Sequence, residues 1–275
     1  MEPNVQALAA LYSPDTGIIS AHDLMNYFLS VALNKKANIV YQTKVVRIEK
    51  EPGRYRIFTL NEKGESFEFS SAVVINAAGL ESDTIANMVG NNYQLHYCKG
   101  DYCSISGVKP GIVQRLIYPV PVESHPQEPE APFQNATSRN WQKAFNPLRE
   151  MGAFCSGANN HIGLGVHLTL DLNGRFKLGP DTTYIDRQED YKVAPEKAAL
   201  FYQSARKFLP FLKEENVSPD MSGIRPKLQG QYDDFRDFVI KEDAPVFINL
   251  VSIESPGLTA SPAIARYVKK TYLGG

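Results

Sequence analysis

The chain has 275 residues, 43% of them hydrophobic, and a formal net charge of -1. That is enough apolar material for one large domain or two modest ones, and it leaves no basic footprint for nucleic acid. No apolar run approaches the roughly 18 residues that span a bilayer, and Met1-Glu2-Pro3-Asn4-Val5 has none of the Arg-rich character of a targeting peptide. Cys98, Cys103 and Cys155 cannot all pair with one another. With no CxxC spacing and no histidine cluster beside them, they point to a reduced compartment and to no metal site. The sequon Asn135-Ala136-Thr137 reads as chance in the absence of a secretory signal.

In chain order, Ser13-Pro14-Asp15-Thr16-Gly17 is a turn cluster, and Ser20 is the expected N-cap of a helix over Ala21 to Asn34. Leu24, Phe28, Val31 and Ala32 share one face of that helix. Strands are expected over Asn38 to Glu49 and Tyr55 to Leu60, joined at Pro52-Gly53, with a second turn around Asn61 to Gly64. Phe67 to Asn76 supplies two further strand pieces; the second is continuously apolar, as in a strand buried on both faces. Ser82 or Asp83 is placed to cap the helix that follows. From Tyr93 onward the pattern turns antiparallel, with strands over Tyr93 to Ile105, Leu116 to Val120, Gly163 to Leu172 and Arg175 to Leu178. Asn173-Gly174 marks a hairpin between the last two. An amphipathic helix follows over Pro195 to Phe208, with Ala198, Phe201, Ala205 and Phe208 on one face. Strands over Ser222 to Leu228, Phe238 to Lys241 and Val246 to Ile253 lead to a closing helix over Leu258 to Tyr272. Val122 to Ile162, which holds the only tryptophan, Trp141, has little periodicity and reads as a lid, an insertion or foreign sequence.

Val73-Val74-Ile75-Asn76-Ala77-Ala78-Gly79 reads as a buried strand running into a small-residue turn. Small side chains there let the backbone approach a dinucleotide such as FAD; tight strand-to-helix packing would ask for the same residues. A dinucleotide fold ordinarily opens with a strand, a GxGxxG loop and a helix whose N-terminus holds the pyrophosphate. No such fingerprint precedes this stretch, so the expectation is most of a flavoenzyme without its phosphate-binding start.

Several segments, in order and spacing, resemble one family. They are Glu2-Pro3-Asn4-Val5, Ser13 to Ile19, Lys99-Gly100-Asp101-Tyr102, Leu116 to Pro121, Gly163 to Thr169, Gly179-Pro180-Asp181, Gly223 to Lys227 and Ile253 to Thr259. Together they resemble the L-2-hydroxyglutarate dehydrogenases of the FAD-dependent D-amino-acid oxidase superfamily, across nearly the whole chain except Val122 to Ile162. The resemblance implies FAD as cofactor and oxidation of an L-2-hydroxy acid, L-2-hydroxyglutarate to 2-oxoglutarate, by hydride transfer to the flavin. It implies that electrons leave to a quinone or another acceptor that the sequence does not identify. Eukaryotic members are mitochondrial, which implies the same location here.

The resemblance also assigns candidate roles. Val45 and Val46 fall where relatives contact the adenine end through the backbone; by themselves they are strand core. Ala77, Ala78 and Gly79 form the small-residue turn. Ser255, Pro256, Gly257, Leu258 and Thr259 form the helix start that in relatives points its amides at the flavin pyrimidine, where the dipole favours the negative charge of the reduced ring; the bland alternative is an N-cap by Ser255. Arg225, in a Gly-x-Arg-Pro context, is the expected grip on a substrate carboxylate, against the alternative of a structural salt bridge. Lys227, two residues on, meets a second carboxylate or is solvated. His167 lies on the polar side of an alternating strand and is the candidate acceptor of the hydroxyl proton, with a satisfied core histidine equally open. Tyr118 closes the pocket or simply packs. His22 and Thr16-Gly17-Ile18 fall where relatives approach the flavin.

The expected architecture is α/β to α+β: an incomplete FAD-binding sheet domain interleaved with a substrate domain on a large mixed or antiparallel sheet. Residues 1-92 and 241-275 are assigned to the first, and 93-240, with the irregular insertion 122-162, to the second. An amino acid or amine oxidase of the same superfamily, and a truncated FAD-free inactive product, stand as the alternative functions.

Overall fold

A computed structural model of the chain describes residues 2–120, 166–186 and 188–274. The expected insertion 122-162, with Trp141, Cys155 and the Asn135 sequon, lies outside the described residues, as do the first residues of the strand expected over 163-172.

Eleven strands are described, in three sheets. The first is a meander of β1 (Thr43–Glu51), β2 (Arg54–Asn61) and β3 (Ser66–Ser71). Its first turn pairs Glu51 with Arg54, at the expected Pro52-Gly53. At the second, Asn61 Oδ1 accepts from the amides of Lys63 and Glu65 at 3.0 and 2.9 Å, an Asx turn of the kind asparagine favours. One meander face carries Ile48, Tyr55 and Ile57 into a core shared with Val89, Ala244 and Phe247. Tyr55 donates to the Pro245 carbonyl at 2.7 Å, so its hydroxyl is satisfied where its ring is buried.

The second sheet has the order β10 (Val239–Ala244), β11 (Phe247–Val251), β4 (Val74–Asn76). β10 and β11 are antiparallel, whereas β4 runs parallel to β11 with Asn76 opposite Asn249. β11 is buried along its whole length. The expectation that Val73 to Asn76 is buried on both faces is not met: Val73 is 37% and Ile75 45% exposed. Among the described residues β4 pairs on one side only, so continuous apolar character here marks a strand with an uncovered face. A one-turn 3-10 segment (Gly79–Glu81) leads into helix α2 (Ser82–Asn87), whose N-cap is Glu81 rather than Ser82 or Asp83. The Asp83 carboxylate is committed elsewhere, to the amides of Thr84 and Leu95.

The third sheet is built on β5 (His96–Ile105). β9 (Val217–Lys227) pairs along nearly all of one side of β5, and β8 (Thr183–Ile185) and β7 (Phe176–Leu178) share the other. β6 (Leu168–Leu170) continues the sheet beyond β7 through the hairpin at Asn173-Gly174, with Asp171 N donating to Arg175 O at 2.9 Å. Of the strand expected over Leu116 to Val120 only a bridge between Ile117 and Leu168 forms. Helix α3 (Lys197–Ala205) covers one face of this sheet, where Phe201, Ala205, Leu209, Leu168, Leu178 and Cys103 make the largest core. Cys98 and Cys103 are buried thiols.

Two further helices complete the described chain. α1 (Ala21–Asn34) starts where its N-cap predicts, with Asp23 N donating to Ser20 Oγ at 3.1 Å, but none of its residues is buried, and Phe28 and Val31 stay exposed. α4 (Gly257–Tyr272) packs Ile264, Val268 and Tyr272 against Ile248 and Leu250. Phe201→Ala should destabilise the fold by about 3–5 kcal/mol, the range for emptying a filled core site. Denaturant unfolding measures this, and a loss under about 1 kcal/mol would show that the site collapses without a cavity.

Candidate active site

β4 and β11 are parallel and so end on the same edge of their sheet. In open α/β sheets that carboxyl edge is where ligands bind. One end runs into Ala77, Ala78 and Gly79; the other runs through Ser252, Ile253, Glu254, Ser255 and Pro256 into α4. The edge is pinned by buried amides. Asn76 Nδ2 donates to Ser82 O at 2.7 Å and to Asn249 Oδ1 at 2.8 Å, while Asn249 Nδ2 donates to Asp243 Oδ2 at 2.8 Å. Tyr93 and Lys241 complete the shell around Asp243, whose carboxyl is held below its usual value by these partners against the opposing effect of burial. Gly79 adopts φ +59°, and a Cβ there would meet nothing within 4 Å, so backbone handedness rather than crowding selects glycine. At Gly257 the reason is space: a Cβ would collide with the Ile253 side chain.

Between the meander and this edge lies an apolar cavity of about 780 Å³, within the range of roughly 300–1,000 Å³ for small-molecule sites. Val45, Val46, Ala77 and Ala78 all line it, joined by Ile57 and Val74. The pairing register shifts between Val45 and Arg47, turning the Val46 backbone out of the regular ladder. Gly79 and the segment from Ser255 to Thr259 are not among the lining residues. Pro256, not Ser255, is the N-cap of α4, and no side chain caps it. Gly257 N turns back to Glu254 O at 2.5 Å and Ala260 N bonds to Pro256 O at 2.9 Å. Leu258 and Thr259, both exposed residues, thus lie in the first turn at the positive end of the helix.

A second cluster forms on the face of the large sheet opposite α3. Arg225 is registered with Cys98 and Lys227 with His96, so both basic side chains leave the same face of β9. Leu168 and Leu178 point into the α3 core, so His167, preceding Leu168, points the other way. The Tyr118 and His167 rings pack against each other at a 47° tilt, with centroids 4.1 Å apart. Burial first, and the Arg225 charge second, push the His167 imidazole down to about 4, so it is neutral near pH 7. Tyr102 belongs to the same group: burial raises its hydroxyl, with Arg225 opposing and Tyr118 adding to the shift. Glu254 closes the cluster from the loop before α4. Its Oε1 lies 2.5 Å from Lys227 Nζ and its Oε2 3.8 Å from Arg225 Nη1.

Lys227 is therefore buried against a carboxylate and not solvated, with a side chain 4% exposed, while Arg225 retains 30%. Tyr102 and Glu254 were not singled out by sequence reasoning, although both sit inside segments that carried the resemblance. His22 and Thr16 are exposed, with Thr16 Oγ1 donating to Ser13 Oγ at 2.7 Å. A further charged group lies on the α3 side of the same sheet. Lys99 contacts Asp190 at 3.2 Å and Asp101 at 3.6 Å, and Lys197 pairs with Asp181 and, at 3.4 Å, with Asp101. Burial and the neighbouring Asp181 raise the Asp101 carboxyl above its usual value. Among the described residues no cluster of His, Cys, Asp and Glu could hold a metal, and no helix is long and apolar enough to cross a membrane.

Mixed and antiparallel sheets packed with helices, with one parallel pair whose carboxyl edge opens into two loops, make an α/β to α+β scaffold. The chain belongs to the FAD-dependent oxidoreductase (DAO) family, whose profile matches residues 1–271. It is 30% identical to the mitochondrial L-2-hydroxyglutarate dehydrogenase of Arabidopsis thaliana, over 99% of this chain and 58% of that protein. It is 26% identical to the glycerol 3-phosphate dehydrogenase of Caloramator mitchellensis, over 98% of this chain and 47% of that one. In fold it is similar to the FAD-bound L-alpha-glycerophosphate oxidase of Mycoplasma pneumoniae, with a TM-score of 0.63 at 22% identity, covering 90% of this chain and 54% of that one. The chain thus spans about half the length of these relatives.

The depressed His167 value has a consequence for stability. The folded imidazole takes a proton at about 4, whereas an unfolded histidine takes one near ~6.5. The unfolded chain binds more protons between those values, so the contribution is fully present above the unfolded value and is lost as pH falls towards the folded one. His167→Gln should flatten that part of the stability–pH curve in denaturant titrations. An unaltered slope would mean that the imidazole titrates as in a free peptide.

Proposed function

We propose that this chain acts as an FAD-dependent oxidoreductase that oxidises an L-2-hydroxy acid, L-2-hydroxyglutarate to 2-oxoglutarate. The observation that carries the reading is the convergence of Arg225, His167, Tyr118 and Tyr102 on one sheet face, joined through Glu254 to the loop that starts α4. A guanidinium with donors to spare binds a carboxylate, and a neutral imidazole beside it accepts a proton.

The residues present fit an FAD. Val45, Val46, Ala77 and Ala78 wall an apolar cavity that suits the adenosine end. The left-handed Gly79 leaves its turn open to a close ligand, and the uncapped start of α4 offers amides to a ring that becomes anionic. When bound, the cofactor supplies the two-electron acceptor for a hydride. Arg225 would fix the substrate carboxylate, His167 would take the hydroxyl proton, and Tyr118, packed on the imidazole, would cover it. The product is a 2-oxo acid, with the proton held on His167 for release. The electron acceptor is left unassigned. A mitochondrial location goes with this reading, because the plant and nematode relatives are named mitochondrial.

A phosphate ester is the competing substrate, since a guanidinium binds either anion and two relatives are named for glycerol phosphates. Turnover of FAD-loaded protein on L-2-hydroxyglutarate, glycerol 3-phosphate and glycine separates the substrate classes. Flavin uptake is read from absorbance at about 450 nm; a chain that takes up no FAD overturns the reading. Arg225→Ala should lower kcat/KM on the hydroxy acid by on the order of 10²-fold, mainly through KM, with flavin retained. Unaltered kinetics would remove Arg225 from the site. His167→Gln should lower kcat by roughly 10²–10⁴-fold at constant flavin content, and a kcat within threefold of the parent would exclude its acid–base role.

A further inference from the structure

Arg225 and Lys227 stand two residues apart on one face of β9, yet the structure treats them differently. Glu254 approaches Lys227 to 2.5 Å and Arg225 only to 3.8 Å, and the Lys227–Glu254 pair is nearly closed to solvent, with side chains 4% and 10% exposed. The loop carrying Glu254 is anchored to the same strand a second time, by Ser252 Oγ donating to Pro226 O at 3.0 Å. Ser252 adopts φ +63°, a left-handed conformation that a serine holds only when its surroundings fix it. Glu254 therefore stands on an anchored stretch of backbone, with its carboxylate against Lys227 and farther from Arg225.

Left alone beside Arg225, a buried carboxylate would take the guanidinium for itself and repel an arriving anion. We propose that Lys227 is a positioning residue that holds Glu254 off Arg225, keeping the guanidinium available to an anionic substrate, and that Lys227 does not itself bind that substrate. The proposal rests on the reading of Arg225 as the carboxylate grip. It makes the three side chains one unit of net charge +1, two cations and one anion. The unit is matched to a single carboxylate. Any second carboxylate of the substrate is met outside this unit.

The test is calorimetric titration of FAD-saturated protein with 2-oxoglutarate. Lys227→Met should weaken binding by on the order of tenfold, because Glu254 then turns to Arg225. The double variant Lys227→Met with Glu254→Gln removes both charges of the pair and should return the dissociation constant to within about threefold of the parent. It should also recover the thermal stability that Lys227→Met alone loses by leaving a buried charge unpaired. A double variant that folds but binds as weakly as Lys227→Met overturns the proposal, because Lys227 would then be gripping the ligand directly. Should Lys227→Met fail to fold, the double variant decides alone: parental affinity supports the proposal and lost affinity overturns it. Arg225→Ala is the separate control. If it binds 2-oxoglutarate as the parent does, or the parent binds none, the carboxylate reading itself falls; if only the rescue fails, that reading stands without this refinement.

Discussion

Two asparagines, 173 residues apart in sequence, meet in the interior and bond to each other. Asn76 ends a three-residue strand, and Asn249 sits fully buried in the central strand beside it. A strand of that length contributes few ladder bonds of its own, so parallel pairing needs another source of register. The amide pair supplies it. A slip by one residue would leave two buried amides without partners, each costing about 1–3 kcal/mol. Because the Asn76 amide also holds the Ser82 carbonyl, and its Oδ1 accepts from the Ala78 amide at 3.3 Å, the same contact shapes the turn and seats α2. Everything placed at the carboxyl edge inherits its position from this point: the small-residue turn on one side, and Glu254 and the start of α4 on the other.

The large sheet solves a different problem. Its β5 strand carries side chains into two charged environments, one on each face. Towards α3, Lys99 and Asp101 are locked with Asp181, Asp190 and Lys197 into a network of opposite charges, most of it withdrawn from water. Asp101 Oδ1 makes no hydrogen bond there and depends on Lys99 at 3.6 Å. Such a network fixes how α3 sits on the strands, because a helix displaced from Asp101 would abandon a buried charge. On the opposite face the charges are not balanced. Arg225 keeps part of its surface open, and its field falls on a neutral histidine, His167, and on Tyr102. One face is closed with its charges paired, and the other is partly open with two cations to one carboxylate.

What the sequence revealed was whatever depends on neighbours in the chain. The Ser20 cap, the Asn61 turn and the Asn173-Gly174 hairpin are local chemistry, and each appears where its residues dictate. The small-residue turn, Arg225 and His167 were candidates from their residue types together with the family resemblance, and the structure sets Arg225 and His167 close enough for the charge of one to act on the other. Features that depend on distant partners stayed hidden. Ser82 and Asp83 looked like caps, but Asp83 is taken by Leu95, twelve residues away. Val73 to Asn76 looked buried on both faces because apolar run-length does not say whether both faces find cover. The burial of Lys227 could not be read without Glu254, and Glu254 lies in a motif whose proline and glycine drew attention to the helix start instead. Leu116 to Val120 has the composition of a strand but only one residue in bridging register.

The loop from Ser252 to Pro256 joins these two regions. It leaves the buried strand β11, is clamped to β9 at Pro226, presents Glu254 to the basic pair and then opens helix α4. In five residues the chain passes from the pinned sheet edge to the charged cluster and on to the positive end of a helix dipole. A shift of charge at Arg225 is thus felt by the carboxylate of Glu254, the residue whose backbone carbonyl accepts from the first amide of that helix, Gly257 N. Gly257 has no room for a side chain against Ile253, so the helix start packs directly on the loop that precedes it. The loop's length and its two anchors tie the Glu254 carboxylate and the helix start into one short connection. Groups held on one anchored connection keep a pre-set geometry that groups on independently moving segments would lose.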